Sequence, residues 1–497
     1  MFYKSTRSTE PATLTSAEVI KEGLAPDGGL FVPDSIPTLT LPEIEALCRK
    51  SYPERAADIL ARFLTDYTHE ELLEDCRAAY NRDSFVGGAA PLVGVRSTYP
   101  MEIMELWHGP TAAFKDMVLQ IMPRLLSRAL DKTNEPNDAL ILVATSGDTG
   151  KAALEGYRGI DRVRILVFYP SDGVSSVQKL QMATQQGSNV GVCAIHGNFD
   201  DAQSGVKEIL NSPEMITRAK VRGTIFSSAN SINWGRLVPQ TVYYVSAYCD
   251  LINAGRIKPG ERINVCVPTG NFGNIFAAFI AKRMGLPIER MICASNSNNV
   301  LTEFLNTGIY DRNRPFHMTM SPSMDILISS NLERLLYFIA GSEKTAAWMQ
   351  ELRENGKYTV DPQTLREIRR HFSGLCTDEV ETAETIRKTW QNGDYLADPH
   401  TAVAIHAAEQ YMEENGDGNP MVVDSTASPF KFASSVLRAL SDEVPESDLD
   451  ALDRLSAVTG ARIPYPLAGL GKRPVRFTQV CEVSEMRQVV MDFIKKK

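Results

Sequence analysis

Apolar and polar positions along this chain follow two different patterns. Before about residue 85 the apolar positions recur at helical spacing. Residues 41–51, opened by Thr40, and residues 69–81 both predict helices. Pro26, Asp27, Gly28 and Gly29 form a turn signal ahead of both. The small residues from Val86 through Gly87, Gly88, Ala89 and Ala90 to Pro91 mark a boundary. Beyond it, apolar runs of strand length alternate with helical patterns. Strands are expected at 101–106, 139–144, 163–168, 263–267 and 422–424. Helices are expected at 115–130, from about 150 onward, and up to residue 284. Strands alternating with helices predict parallel sheets covered by helices on both faces. Such sheets bind ligands in the loops that leave the C-terminal ends of their strands.

Several tempting motifs fail. The run Thr145 to Lys151 resembles a nucleotide-binding loop, but that motif needs glycine at the Thr145 position and a hydroxyl at Ala152. His69-Glu70 begins like a zinc-protease helix, but Leu73 stands where the second histidine belongs. His400 and His406 are six apart, wrong for one helical face, and are expected to be ordinary helix residues. No glycine-rich dinucleotide fingerprint or nucleophile elbow occurs. No cysteine pair has metal-ligand spacing, so no metal site is expected.

Four loops survive. Pro268, Thr269, Gly270, Asn271, Phe272, Gly273 and Asn274 follow a strand and open a helix. Their glycines and the helix N-terminus can cradle a phosphate, and the same residues read equally as a tight turn. Ala144 to Gly150 packs three hydroxyls before a helix, suiting an anion or simply a helix cap. Lys115 follows the apolar Ala112, Ala113 and Phe114; desolvation there would lower its pKa and make the amine nucleophilic. Ser425, Thr426 and Ala427 place hydroxyls at a strand end.

Composition narrows the field. The 497 residues are 43% hydrophobic and 23% charged, as in a globular protein with a large core. The net charge of −9 argues against nucleic acid or an anionic membrane as partner. Residues 263–281 lack charge but contain Pro268, Gly270 and Gly273 and make a poor membrane span. The N-terminus shows no signal peptide, and eight scattered cysteines suit a reduced, cytoplasmic setting.

Together, a phosphate cradle, a reactive lysine, an anion-binding loop and a hydroxyl at a strand end meet the needs of pyridoxal phosphate. The sequence resembles the threonine synthases, pyridoxal-phosphate enzymes of the tryptophan-synthase-β fold type, in the longer bacterial and fungal branch. The likeness runs through Tyr3 to Arg7, Gly23 to Pro33, His108 to Asp116, Asn230 to Arg236 and Asp398 to Val403. Ser428 and Phe430 depart from the family, which commonly has His and Ala there. The resemblance implies an α/β fold of two parallel or mixed sheets flanked by helices, with a mostly helical N-terminal region at 1–88. It implies a large cofactor-binding domain at 89–136 plus 255–497 and a small α/β domain at 137–254.

It also implies roles. Lys115 would join the cofactor as a Schiff base and shuttle protons. Gly270, Asn271, Phe272, Gly273 and Asn274 would hold its phosphate, and Thr426 would meet its ring nitrogen. Asp148 lies where related enzymes place Asn near the 3′-oxygen. Thr145, Ser146 and Thr149 are expected around the substrate's anionic groups, with Asn230, Ser231 and Arg236 at its phosphate. The implied reaction converts O-phospho-L-homoserine and water to L-threonine and phosphate. A phospholyase giving a 2-oxo acid is the alternative within the enzyme class, and a catalytically dead sensor the alternative outside it. Monomer and homodimer both remain open.

Overall fold

The N-terminal helices are written into the sequence by their starts. Thr15, Thr40, Ser51 and Thr68 each precede a glutamate by three residues: Glu18, Glu43, Glu54 and Glu71. In every case that carboxylate accepts the cap residue's N–H, at 2.7–3.0 Å. These capping boxes open the helices Ser16–Glu22, Leu41–Leu47, Tyr52–Phe63 and His69–Ala79. The computed structural model describes all residues except Ser146, Gly173, Asp417, Asp442, Glu443, Val444 and Lys497. The helix expected at 41–51 ends at Leu47, and a new capped helix begins at Tyr52. A short antiparallel ribbon, Tyr3–Ser5 with Phe31–Pro33, joins this region to the rest. The Tyr3 ring is buried edge-on against Trp234.

The larger sheet has six strands in the order Phe372–Cys376, Ile288–Ser295, Ile263–Pro268, Met421–Ser425, Met101–Glu105, Leu92–Gly94. All neighbours pair in parallel except the last two. The smaller sheet has five strands in the order Val480–Glu482, Val190–His196, Val163–Pro170, Asp138–Ala144, Thr224–Ser227, all parallel. Central strands of both sheets read as nearly unbroken apolar runs, because helices cover both faces. The helix Gly273–Met284 is likewise buried almost all round.

Three expectations need correction. The helix expected at 115–130 is two helices, Asp116–Leu119 and Met122–Lys132. Pro123 can stand only in a first turn, since its ring would clash inside a helix. The strand Val480–Glu482 and helix Met486–Lys495 belong to the smaller sheet, not to the domain that begins at 255. Helix Gln240–Asn253, assigned to the small domain, packs instead on the helix Gly273–Met284 of the larger sheet and on the N-terminal helices. For Val480–Glu482 the partner strand, Val190–His196, is remote in sequence. Among the described residues no helix is long and apolar enough to cross a membrane.

Candidate active site

Three adjacent parallel strands of the larger sheet deliver three loops to one place. Ile263–Pro268 runs into residues 269–273, Met421–Ser425 into Thr426, and Met101–Glu105 into the loop that ends at Lys115. The last two loops remain paired after their strands end. Leu106 N–H donates to Ser425 O at 2.9 Å and Phe114 N–H to Thr426 O at 2.8 Å. Ala113 bridges Ala427. Lys115 and Thr426 are therefore registered by backbone. From the opposite side, the strand Asp138–Ala144 of the smaller sheet supplies residues 145–149. Between these loops lies a cavity of about 330 Å³.

That cavity is lined by Lys115, Thr145, Thr149, Asn230, Ser231, Arg236, Gly270, Asn271, Phe272, Gly273, Asn274 and Thr426. These are twelve of the fourteen residues expected at a site. Ser146 lies outside the described residues, and Asp148 stands behind the wall.

Burial lowers the Lys115 pKa, and Lys431 and Arg236 press it further down while Asp148 opposes them. Beneath it, Asp116 is fully buried and accepts Thr111 N–H and Oγ1–H, both at 2.8 Å. Burial pushes the Asp116 carboxyl up to about 7. Gly109 is required here, since a Cβ would lie 2.5 Å from the Asp116 side chain.

Asp148 carries a buried charge with a buried partner. Lys431 Nζ sits 2.7 Å from its Oδ1, and Gln178 Nε2 donates to the same oxygen at 3.0 Å. Burial would raise this carboxyl. Lys431 and Lys115, with those hydrogen bonds, outweigh burial and hold it well below the usual range. Lys431 also donates to Thr111 O at 3.0 Å, tying the Lys115 loop to the turn after Thr426.

The two anion-binding candidates are unequal in kind, and neither meets a carboxylate among the described residues. Among the described residues, the N–H groups of Gly270 through Asn274 donate to no protein oxygen. Phe272 adopts a left-handed conformation, φ 60°, just before the helix Gly273–Met284 begins. That conformation turns consecutive N–H groups the same way, the arrangement that binds phosphate. Arg236 is 6% exposed and pairs with no carboxylate among the described residues. Its Nη1 donates to Ala229 O at 2.5 Å, and its Nε is buried without a partner. Burial lowers its pKa to about 10. Asn230 and Ser231 stand beside it at the cavity. Thr145 differs from expectation. Its hydroxyl donates to Gly147 O and accepts the N–H groups of Gly147 and Gly150, so it is occupied in building the turn.

The sequence reading missed Lys431 and His400. His400, expected to be an ordinary helix residue, lines the cavity. Its Nε2 accepts the Ser323 N–H at 3.1 Å, so Nδ1 carries the proton and donates to Asp398 at 2.6 Å. A lone histidine in a helical first turn leaves no periodic signal. Lys431 gives none either, because its partner Asp148 is almost 300 residues away.

Family profiles cover most of the chain: "Threonine synthase N terminus" over residues 2–80, "Pyridoxal-phosphate dependent enzyme" over 103–425, and "Threonine synthase, C-terminal" over 401–493. The chain is 36% identical over 467 residues to threonine synthase of Saccharomyces cerevisiae, covering 88% of this chain and 89% of that one. It is 38% identical over 451 residues to that of Pseudomonas aeruginosa, with 90% and 92% coverage. It is 40% identical over 436 residues to human threonine synthase-like 1, and the match takes in 85% of this chain but 58% of that longer relative. The crystal structure of a PLP-bound threonine synthase from Brucella melitensis superposes with TM-score 0.88 at 37% identity, over the whole of both chains. The yeast threonine synthase structure gives 0.89 at 33% identity, covering 100% of this chain and 99% of that one.

Proposed function

The chain belongs to the threonine synthase family of pyridoxal-phosphate enzymes, and on that premise we propose that it converts O-phospho-L-homoserine and water to L-threonine and phosphate. One observation carries this reading. Two anion sites, the N–H groups of 270–274 and Arg236, neither meeting a carboxylate among the described residues, line the same cavity as a single desolvated lysine. A phosphorylated cofactor needs the first, and a phosphorylated substrate needs the second.

The residues present fit pyridoxal phosphate. Gly270 to Asn274 would hold its phosphate, Lys115 would join it, and Thr426 would meet the ring nitrogen. When bound, the cofactor supplies an electron sink for the pair left at the substrate's Cα. Lys115, kept toward its neutral form by burial, takes the Cα proton and later returns a proton at Cγ. Arg236, with Asn230 and Ser231, holds the substrate phosphate while it departs from Cγ. A guanidinium suits this, because it can give phosphate two hydrogen bonds. Thr426, a hydroxyl and not a carboxylate, leaves the ring nitrogen largely unprotonated and so moderates the sink. The Asp148 carboxylate, already satisfied by Lys431 and Gln178, faces the lysine without claiming it. Eight free thiols suit work in the reducing cytoplasm.

Incubating the holoenzyme with O-phosphohomoserine should release threonine and phosphate in equal amounts, and Lys115→Ala should release neither. Equal 2-oxo acid and phosphate would show a phospholyase instead.

A further inference from the structure

Another buried carboxylate lies near the cavity, and nothing in the reaction above uses it. Asp424 stands two residues before Thr426, wholly buried at the end of the strand Met421–Ser425. Its Oδ2 is 2.7 Å from Tyr244 Oη and 2.9 Å from Asn274 Nδ2. Tyr244 Oη is also 2.6 Å from Asn274 Oδ1, and Tyr243 Oη contacts that same amide oxygen. The Oδ1 of Asp424 has no hydrogen-bond partner among the described residues.

Counting protons settles the state of this ring. Tyr244 has one hydroxyl proton and two short contacts to oxygens, Asn274 Oδ1 and Asp424 Oδ2. Two such contacts need two protons. The amide oxygen has none to give, so the second must sit on the carboxyl. Turning the Asn274 amide over changes nothing. Its oxygen would then face Asp424 Oδ2, and again only the carboxyl could supply a proton. The surroundings agree. The titratable groups facing Asp424 are Tyr243 and Tyr244 from one helix and Cys266 from the neighbouring strand. Burial raises the pKa of all three, keeping them neutral. No lysine, arginine or histidine pairs with Asp424 among the described residues. An ionised carboxylate with one bare oxygen would be costly there.

We propose that Asp424 is a carboxylic acid in the working enzyme, and that its proton positions Asn274 at the mouth of the cofactor's phosphate cradle. Asp424 Oδ2–H donates to Tyr244, Tyr244 donates to Asn274 Oδ1, and Asn274 Nδ2 donates back to Asp424. The cycle joins the helix start that carries the cradle to the strand that carries Thr426. When the proton leaves, the Tyr244 hydrogen turns to the carboxylate, and Asn274 Oδ1 is left facing a lone pair. Asp424 is a positioning residue and touches no substrate. Burial pushes its carboxyl up to about 7, so the loss falls within reach of ordinary buffers.

The positioning half rests on the reading of residues 270–274 as a phosphate cradle; the protonation half does not. Infrared difference spectra of the holoenzyme, wild type against Asp424→Asn, test the proton directly. A protonated-carboxyl stretch present at pH 6 and lost toward pH 9 is expected in the wild-type-minus-variant difference, from which the Asp116 carboxyl, common to both chains, cancels. Asp424→Asn keeps a neutral donor and acceptor in place. It should bind pyridoxal phosphate within about threefold of wild type at pH 6 and escape the wild-type weakening at pH 9, while Asp424→Leu should bind at least about tenfold more weakly throughout. Should the variants fail to fold, Tyr244→Phe must shift the wild-type band, since it removes the proton's acceptor. An absent band, a band unmoved in Tyr244→Phe, or the same pH profile in wild type and Asp424→Asn overturns the proposal. A band that is present in an enzyme making no threonine would sink the functional reading and leave the Asp424 proton standing.

Discussion

Asp148 is charged where water is absent, and the structure shows what makes that possible. Lys431 lies against it, fully buried, and both sit at the base of the Lys115 loop. Taking away one partner of such a pair strands the other. Lys431→Met should cost about 3–5 kcal/mol in urea unfolding, and Asp148→Asn in the same chain should recover much of it. The sign of the pH effect follows from the depressed carboxyl. Its stabilising share is whole above the unfolded value, about pH 4, and is lost only as acid reaches the lower native value. Acid unfolding of the wild type should therefore begin below pH 4 for this group, while Lys431→Met should be weakest at neutral pH, where the stranded Asp148 charge is buried, and regain stability as acid protonates it. Arg236 is the opposite case, a buried charge with no carboxylate partner among the described residues. Charge-assisted hydrogen bonds contribute roughly 1.5–3 kcal/mol each, so Arg236→Ala should lower kcat/KM about 10²–10⁴-fold with O-phosphohomoserine. Its cofactor spectrum should stay near wild type. Kinetics within about threefold would remove Arg236 from the substrate site.

At the scale of elements, two non-glycine residues in left-handed backbone stand in the two loops that matter most. Ala112, φ 58°, precedes Lys115, and Phe272, φ 60°, precedes the cradle helix. Each costs of order 1–3 kcal/mol, which packing of the surrounding strands must offset. The short helix Asp116–Leu119 after Lys115 is held against the helix Asp148–Tyr157 by a close approach at Gly156. A Cβ there would lie 1.8 Å from the backbone oxygen of Leu119. Gly156→Ala must part the two helices, so we expect a loss above the usual 1–3 kcal/mol of overpacking and a fall in turnover, measured by urea unfolding and assay. The strand, loop and helix of 263–284 were legible in advance, because the strand's apolar run and the glycines are local signals. The break before Met122 was missed, although Pro123 signals it, because the helical pattern expected over 115–130 runs across it.

For the whole molecule, the C-terminal strand is the informative element. Val480–Glu482 closes the edge of the smaller sheet beside Val190–His196, and Met486, Val490 and Met491 are buried against the same layer. Removing residues 476–497 would bare that core and an unpaired strand edge. The truncated chain should melt several degrees lower and aggregate on heating, as thermal unfolding with light scattering would show. An unchanged melting temperature would mean that the smaller sheet is complete without it.

What the sequence by itself determined are the features carried by neighbours in the chain. The capping boxes, the strand-to-helix loops, the glycines of 270–273 and the apolar setting of Lys115 all act within a few residues, so pattern reveals them. What only the tertiary structure decided are the pairings across hundreds of residues. Lys431 meets Asp148, Asp424 meets Tyr244 and Asn274, His400 turns into the cavity, and Val480 returns to the smaller sheet. Burial sets the charge of these groups, and burial is a property of the packed molecule. No spacing along the chain announces that Arg236 will meet no carboxylate among the described residues; that follows only from the packed structure.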